Sequence, residues 1–364
     1  MTVPFLDLGA SFRAMAPEID AAIARVTASG YFIGGPENAA FERAFAAATQ
    51  AQGCVGVANG LDALHLALLA MDVGAGDEVI VASNGYIATL LAVSMAGATP
   101  VLVEPDPATH NLDPARIAAA ITPRTKVILP THLYGQPADM DAILAVARAH
   151  DLKVLEDGAQ AHGARYKGRA IGAHGDAVTW SFYPSKNLGC LGDGGAVTSD
   201  DAQLIERVRT LGNYGSHVRY VNDVRGVNSR LDPIQAAILA AKLERLDEWN
   251  GRRAAITARY LSELANTGLV LPVVPDWADP CWHLFVVRSP DRAALKARLD
   301  AAGVQTLIHY PIPPHLQKAY ADLGHGPGDF PIAEQLAGEV LSLPTGPQMS
   351  EGEIDTVIAA VRAG

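Results

Sequence analysis

The sequence predicts an α/β fold, with a large and mostly parallel sheet followed by a smaller α+β domain, and three observations predict it. Between about residues 62 and 199, apolar runs of strand length alternate with apolar segments of helix length. That alternation implies parallel strands joined by crossover helices that cover both faces of the sheet. The strand-like runs, such as EVIVAS (78–83) and KVILPTH (126–132), are almost continuously apolar, as strands buried on both faces must be. Past residue 200 the pattern turns to long helical periodicity, then to a Pro-rich break, LVLPVVPDWADPCWH (269–283), and a shorter mixed segment.

In chain order the expected elements begin with a helix over 62–72, a strand over 78–83, a helix over 88–97 and strands over 100–104 and 126–132. A helix over 140–150 and a strand at KVLED (153–157) follow, then strands over 177–184 and 194–199. Helices are expected over 201–212 and, as one long element, over 232–268. After the break come strands over 283–289 and 304–311, with helices over 292–303 and 351–364. The long helix is the expected connector, dividing the chain into residues 1–245, a large α/β domain, and residues 246–364, a small α+β domain.

Composition narrows the function. The chain has 364 residues and a net charge of −11 with no basic run, which argues against a nucleic-acid partner, since binding phosphates takes a clustered basic face. Its three cysteines, Cys54, Cys190 and Cys281, are widely spaced, so neither a disulfide framework nor a zinc site is indicated. The N-terminus lacks the basic and apolar regions of a signal peptide, and no apolar stretch reaches membrane-spanning length. The expectation is a cytoplasmic enzyme with no membrane partner.

Among seven lysines, six stand at strand entries, in a turn or on helices, where a solvated amine is the ordinary state. Lys186 differs: in SFYPSKNLGCLGDGGAV it follows a buried strand and is hemmed by Pro184, Asn187 and glycines between 189 and 195. Asp157 ends the apolar strand KVLED, the position where α/β sheets present ligand-contacting residues. An amine and a buried carboxylate of this kind suit pyridoxal phosphate, whose ring nitrogen must stay protonated for the ring to act as an electron sink. Asn59 and Gly60 form a turn before the apolar helix at Asp62, and a helix start after a glycine turn offers free N–H groups to a phosphate. Taken singly, each also has a structural reading: a turn cap for Asp157, ordinary capping for Asn59.

Together, NGLDALHLAL, SNGYIATLLAV, HLYGQPADMD, LEDGAQAHGA, SFYPSKNLGCLGDGGAV, NSRLDPIQAAIL and IHYPIPPHLQ resemble, in order and over nearly the whole chain, the DegT/DnrJ/EryC1/StrS family of sugar aminotransferases. The resemblance implies fold type I among pyridoxal-phosphate enzymes, and within the family it is strongest to enzymes that aminate C3 of dTDP-linked 3-keto-6-deoxyhexoses with L-glutamate as donor. It makes Lys186 the Schiff-base lysine and proton shuttle and Asp157 the partner of the ring nitrogen. Gln160 would lie against the ring and Tyr86 would stack on it, with Gly85 standing where the family commonly has Thr. Phosphate contacts would come from Gly60, Leu61 and Ser181, and from Asn228 of a second subunit, so a homodimer with shared sites is implied. Tyr183, His309 and Tyr310 would reach the sugar nucleotide, with Arg219 added across the interface; His309 is equally readable as a structural histidine. No metal is expected. The alternatives are amination at C4 of a dTDP- or GDP-linked sugar and a non-catalytic, cofactor-binding regulator. A sugar dehydratase would carry histidine at position 186, and a nicotinamide dehydrogenase would need a GxGxxG turn that is absent.

Overall fold

The computed structural model describes residues 2–363. Three helices precede the sheet: α1 (Leu8–Arg13), α2 (Ala16–Ser29) and α3 (Pro36–Thr49). Strands and helices then alternate as β1 (Gly53–Val57), α4 (Gly60–Ala70), β2 (Glu78–Ala82), α5 (Ile87–Met95), β3 (Thr99–Val103), α6 (Pro114–Ala120), β4 (Thr125–Leu129), α7 (Met140–Ala149) and β5 (Lys153–Asp157). A short hairpin, β6 (Arg165–Tyr166) and β7 (Arg169–Ala170), leads to β8 (Ala177–Ser181), β9 (Gly195–Ser199) and α8 (Ala202–Gly212).

Seven of these strands form one sheet in the order β1-β9-β8-β5-β4-β2-β3. β9 runs antiparallel to both its neighbours, β1 and β8, while the remaining pairs are parallel. Side chains alternate between the faces as the pleat requires. Val79 and Val81 enter a core with α4 and α5, whereas Ile80 enters the opposite core with Phe41, Phe45 and Trp180. Helix α4 is apolar nearly all round because the sheet covers one side and neighbouring helices the other, whereas α5 is equally apolar but leaves Leu91 and Met95 exposed.

The single helix expected over 232–268 is instead two, α9 (Pro233–Leu243) and α10 (Leu246–Glu263). No Pro or Gly stands at the break. Lys242 turns its amine inward onto the Gly189 carbonyl, and the Arg245 N–H bonds to the Lys242 carbonyl. The break therefore falls where local propensity alone would have continued the helix, beside this long-range contact.

Past α10, β10 (Ala278–Asp279) reaches back to pair with β6, and β11 (Phe285–Arg288) leads to α11 (Arg292–Ala301). Residues 304–311, strand-like in sequence, make isolated bridges at Val304 and Leu307 rather than a ladder. The partner of β11 is β12 (Val340–Leu343), which follows α12 (Pro331–Glu339); α13 (Glu351–Arg362) closes the chain behind a capping box of Ser350 and Glu353. A separate core gathers Ile256, Tyr260, Phe285, Leu299, Leu341 and Val357. Val3 sits in it as well, so the N-terminal arm crosses from one side of residue 245 to the other.

Phe45 packs edge-on to Trp180 and Phe182, with ring centroids 5.2 Å away in each case, beneath the strand that leads to Lys186. Truncating it leaves a void that its rigid neighbours fill poorly. Phe45→Ala is expected to lose about 3–5 kcal/mol of stability, read as a lowered denaturant midpoint followed by fluorescence.

Candidate active site

The sheet brings the singled-out residues to the carboxyl ends of its strands. Asp157 closes β5 and Ser181 closes the adjacent β8, with Asp157 in register with Thr179. Asp157 is 5% exposed. One carboxylate oxygen accepts from the Thr89 hydroxyl at 3.0 Å and the other from the Ala159 N–H at 3.1 Å. Thr89 lies in the first turn of α5, so the same helix start carries both a donor for Asp157 and, three residues earlier, Tyr86.

Lys186 stands in the turn after β8, where its N–H bonds to the Tyr183 carbonyl at 2.8 Å. Its amine is withdrawn from water, and desolvation pulls its pKa down to about 8, opposed by the Asp157 carboxylate. Burial, and secondarily the Lys186 charge, also hold His162 at about 3 and His309 at about 4, and keep His283 well below the ordinary imidazole range. All three are therefore neutral at pH 7. The Lys186 proton faces one carboxylate and no competing cationic imidazole.

Gln160 is fixed at both ends: its carbonyl oxygen accepts from the Tyr134 N–H at 2.6 Å and its amide donates to the Tyr310 hydroxyl at 3.2 Å. The Tyr310 ring lies 5.0 Å from that of Tyr86 at 33°, leaving Tyr86 52% exposed. His309 is tied to Ser342 through Nδ1 at 2.8 Å, and its carbonyl accepts from the Tyr134 hydroxyl. Both of its readings keep support, since it is anchored by β12 and also feels the Lys186 charge.

At the start of α4 the Asn59 side chain takes the Asp62 N–H at 2.9 Å, and its carbonyl takes the Ala63 N–H at 3.0 Å. The N–H groups of Gly60 and Leu61 have no partner among the described residues, and the helix dipole adds positive potential there. A β-carbon at position 60 would stand 2.6 Å from the Ser181 β-carbon, so glycine is what lets the turn close on the strand end. Tyr183 is exposed three residues before Lys186.

Asn228 and Arg219 belong to a different surface, the exposed loop from Asn213 to Arg230. Arg219 lies 4.9 Å over the Tyr220 ring, and Asn228 makes a backbone bridge to Asn213 with its side chain turned to solvent. Ser229 anchors this loop beside the Asn59–Gly60 turn by accepting the Ala58 N–H at 3.1 Å.

Several residues at the site escaped the sequence reading. Asn187 bonds the Cys281 carbonyl at 2.9 Å and Asn250 at 2.8 Å, and its oxygen meets His283 Nδ1 at 3.1 Å; Asn250 in turn holds the His162 carbonyl. This network ties the Lys186 turn to α10 and to the segment before β11. Thr89 was findable as a lone early hydroxyl in the apolar helix IATLLAVSM. The Asn187 network joins segments nearly a hundred residues apart, and no local pattern announces it.

The model of the DegT/DnrJ/EryC1/StrS aminotransferase family matches residues 13–362. The chain belongs to this family. It is 54% identical to the dTDP-3-amino-3,4,6-trideoxy-alpha-D-glucose transaminase of Streptomyces venezuelae, over 99% of this chain and 95% of that one. It is also 54% identical to the dTDP-3-amino-3,6-dideoxy-alpha-D-galactopyranose transaminase of Aneurinibacillus thermoaerophilus, covering 99% and 98%. The crystal structure of S. venezuelae DesV in complex with a ketimine intermediate superimposes with a TM-score of 0.98 at 54% identity, covering 100% of this chain and 98% of that one.

The protein is thus a fold type I aminotransferase whose cofactor is pyridoxal 5′-phosphate, and the residues present fit that group. Unpartnered N–H groups await a phosphate, a hydroxyl-clamped carboxylate awaits a ring nitrogen, an aromatic face is open and the amine is poised. In the apoprotein the Lys186 amine is expected to titrate near pH 8, so its labelling by an acylating reagent, read by mass spectrometry, should rise from pH 7 to 9. Asp157→Asn removes a group that favours the ammonium and should shift that profile to lower pH. A labelling profile centred near the ordinary lysine value would refute the burial of this amine.

Proposed function

We propose that this aminotransferase moves an amino group from L-glutamate to C3 of a dTDP-linked 3-keto-6-deoxyhexose. The observation that carries the reading is a complete amine–carboxylate pair, Lys186 and Asp157, in a chain that matches two dTDP-3-amino-sugar transaminases from end to end. Bound pyridoxal phosphate supplies an electron sink for the carbon that exchanges its proton.

The chain's own residues do the rest. Lys186 Nζ, largely neutral only near and above pH 8 when the protein is free of cofactor, holds the cofactor and then carries the proton between donor carbon and cofactor, and later to the sugar carbon. Asp157 keeps a negative charge opposite the ring nitrogen, and Thr89 fixes its rotamer. Gln160, held by Tyr134, orients the ring edge, while Tyr86 covers one ring face. Gly60, Leu61 and Ser181 take the phosphate. Tyr183, His309 and Tyr310 line the sugar side, where neutral His309 is suited to a hydrogen bond with a hydroxyl.

Supplying dTDP-3-keto and dTDP-4-keto-6-deoxy sugars separately with glutamate, and locating the new amine by NMR, tests the regiochemistry. Amination at C3 is expected; product from the 4-keto sugar alone would overturn the reading.

Assembly follows from the loop from 213 to 230. It exposes Tyr214, Val218, Tyr220, Val221 and Val224, with Tyr220 at 85%, and Tyr31, Phe32 and Ile33 are exposed as well. Apolar surface of this extent suits a subunit interface. We assign it to a two-fold dimer in which Asn228 and Arg219 complete the partner's phosphate and sugar-nucleotide sites. Lys186→Ala and Asn228→Asp variants, each inactive alone, should regain activity when unfolded and refolded together, because one mixed site carries both intact residues. No recovery from a mixture shown to contain hybrid dimers would reject a shared site.

A further inference from the structure

A second cavity lies against the turn that carries Lys186. Its walls include Lys186 and Asn187 but none of Asp157, Gln160, Tyr86 or Ser181, and it runs between the N-terminal arm, the end of α9 and α10. The space it leaves for a ligand is about 60 Å³, enough for one small ion or a few waters, and it is partly open to solvent.

Two buried cations border it, Lys242 and Arg253, at 7% and 5% exposure. Lys242 Nζ donates to the Gly189 carbonyl at 2.6 Å. Arg253 spends Nη1 on carbonyls, that of Thr345 at 2.9 Å among them, and its buried Nε has no partner. Neither cation forms an ion pair among the described residues, and the ionisable groups that act on them are the thiols Cys190 and Cys281, not carboxylates. The cavity wall contains no Asp or Glu, in a chain of net charge −11. Burial lowers Arg253 only to about 10, so it is still a cation at neutral pH. Ser11, Ser185 and Gln348 also line the wall, and the buried Gln348 Oε1 there has no hydrogen-bond partner.

A desolvated cation without a counter-charge is unfavourable, and a cavity bordered by two of them is complementary to negative charge. We propose that this cavity binds a small anion, a halide or a short carboxylate, against the buried cations that line it, Lys242 and Arg253. The anion neutralises the pair and braces the Pro184–Asn187 turn from the side away from Asp157. This inference does not rest on the sugar or the regiochemistry proposed above.

Crystals of the holoenzyme grown without halide and soaked in bromide test it directly, because bromide is located by its anomalous scattering and the phosphate site is already filled. A peak inside the cavity in contact with Lys242 Nζ or the Arg253 guanidinium is expected. In solution, bromide or acetate at fixed ionic strength, balanced with a bulky sulfonate, should raise the holoenzyme melting temperature in a saturable way. Lys242→Met, which keeps the bulk of the side chain, should weaken that response about tenfold. A response to acetate without one to bromide assigns the site to carboxylates. Water in the cavity with bromide confined to the outer surface, together with no saturable response to either anion, would overturn the proposal, and the wild-type map decides even if the variant folds poorly.

Discussion

The interaction on which the site depends is the one between a desolvated amine and the single carboxylate that offsets its desolvation. Water is withdrawn from Lys186, which disfavours its ammonium, and Asp157 returns part of that stability. The two opposing effects leave the group able to hold or release a proton close to neutral pH, which a solvated lysine cannot do. Both residues owe their places to the sheet: Asp157 closes β5, and Lys186 follows β8, the strand beside it.

The surroundings protect this balance by staying neutral. His162, His283 and His309 all lie within reach of the Lys186 charge, and a proton on any of them would push the amine further down. Burial keeps that proton away. His162 is enclosed by the rings of Phe45, Trp180 and Phe182, so the aromatic core that stabilises the large sheet also sets the electrostatics above it. His283 is held neutral chiefly by burial as well, while its Nδ1 donates to the Asn187 oxygen beside the lysine itself.

Much of this was legible in the sequence where the cause is local. Continuous apolar runs disclosed β2, β4 and β5, and the Asn59–Gly60 turn disclosed the start of α4, because pleat and helix cap act over a few residues. Of the residues that carry the cofactor resemblance, Asp157 stands where β5 ends and Lys186 in the turn after β8, another apolar run. What escaped is non-local. The break between α9 and α10 has no helix breaker in it; a tight turn closes there with the Arg245 N–H on the Lys242 carbonyl, beside the Lys242 side chain that reaches Gly189, more than fifty residues away. The run at 304–311 has strand chemistry, but its contacts fall on two different partners, Val304 on Val3 and Leu307 on the free edge of β12 at Ser342, so it makes isolated bridges and no ladder. Asn187 looks like an ordinary loop amide until two distant segments, α10 and residues 281–283, converge on it.

The same Lys242 contact connects the fold's least expected feature to its chemistry. Near the end of α9, Lys242 clasps the Gly189 carbonyl and pins the glycine-rich stretch after Lys186, while Asn187 pins it through Asn250 and Cys281. A turn rich in glycine would otherwise sample many conformations, and a proton shuttle has to return its nitrogen to the same place on each transfer. The rigidity of the Lys186 turn is therefore imported from α9 and α10, which explains why the helical connector, rather than the loop's own sequence, determines where the reactive amine stands.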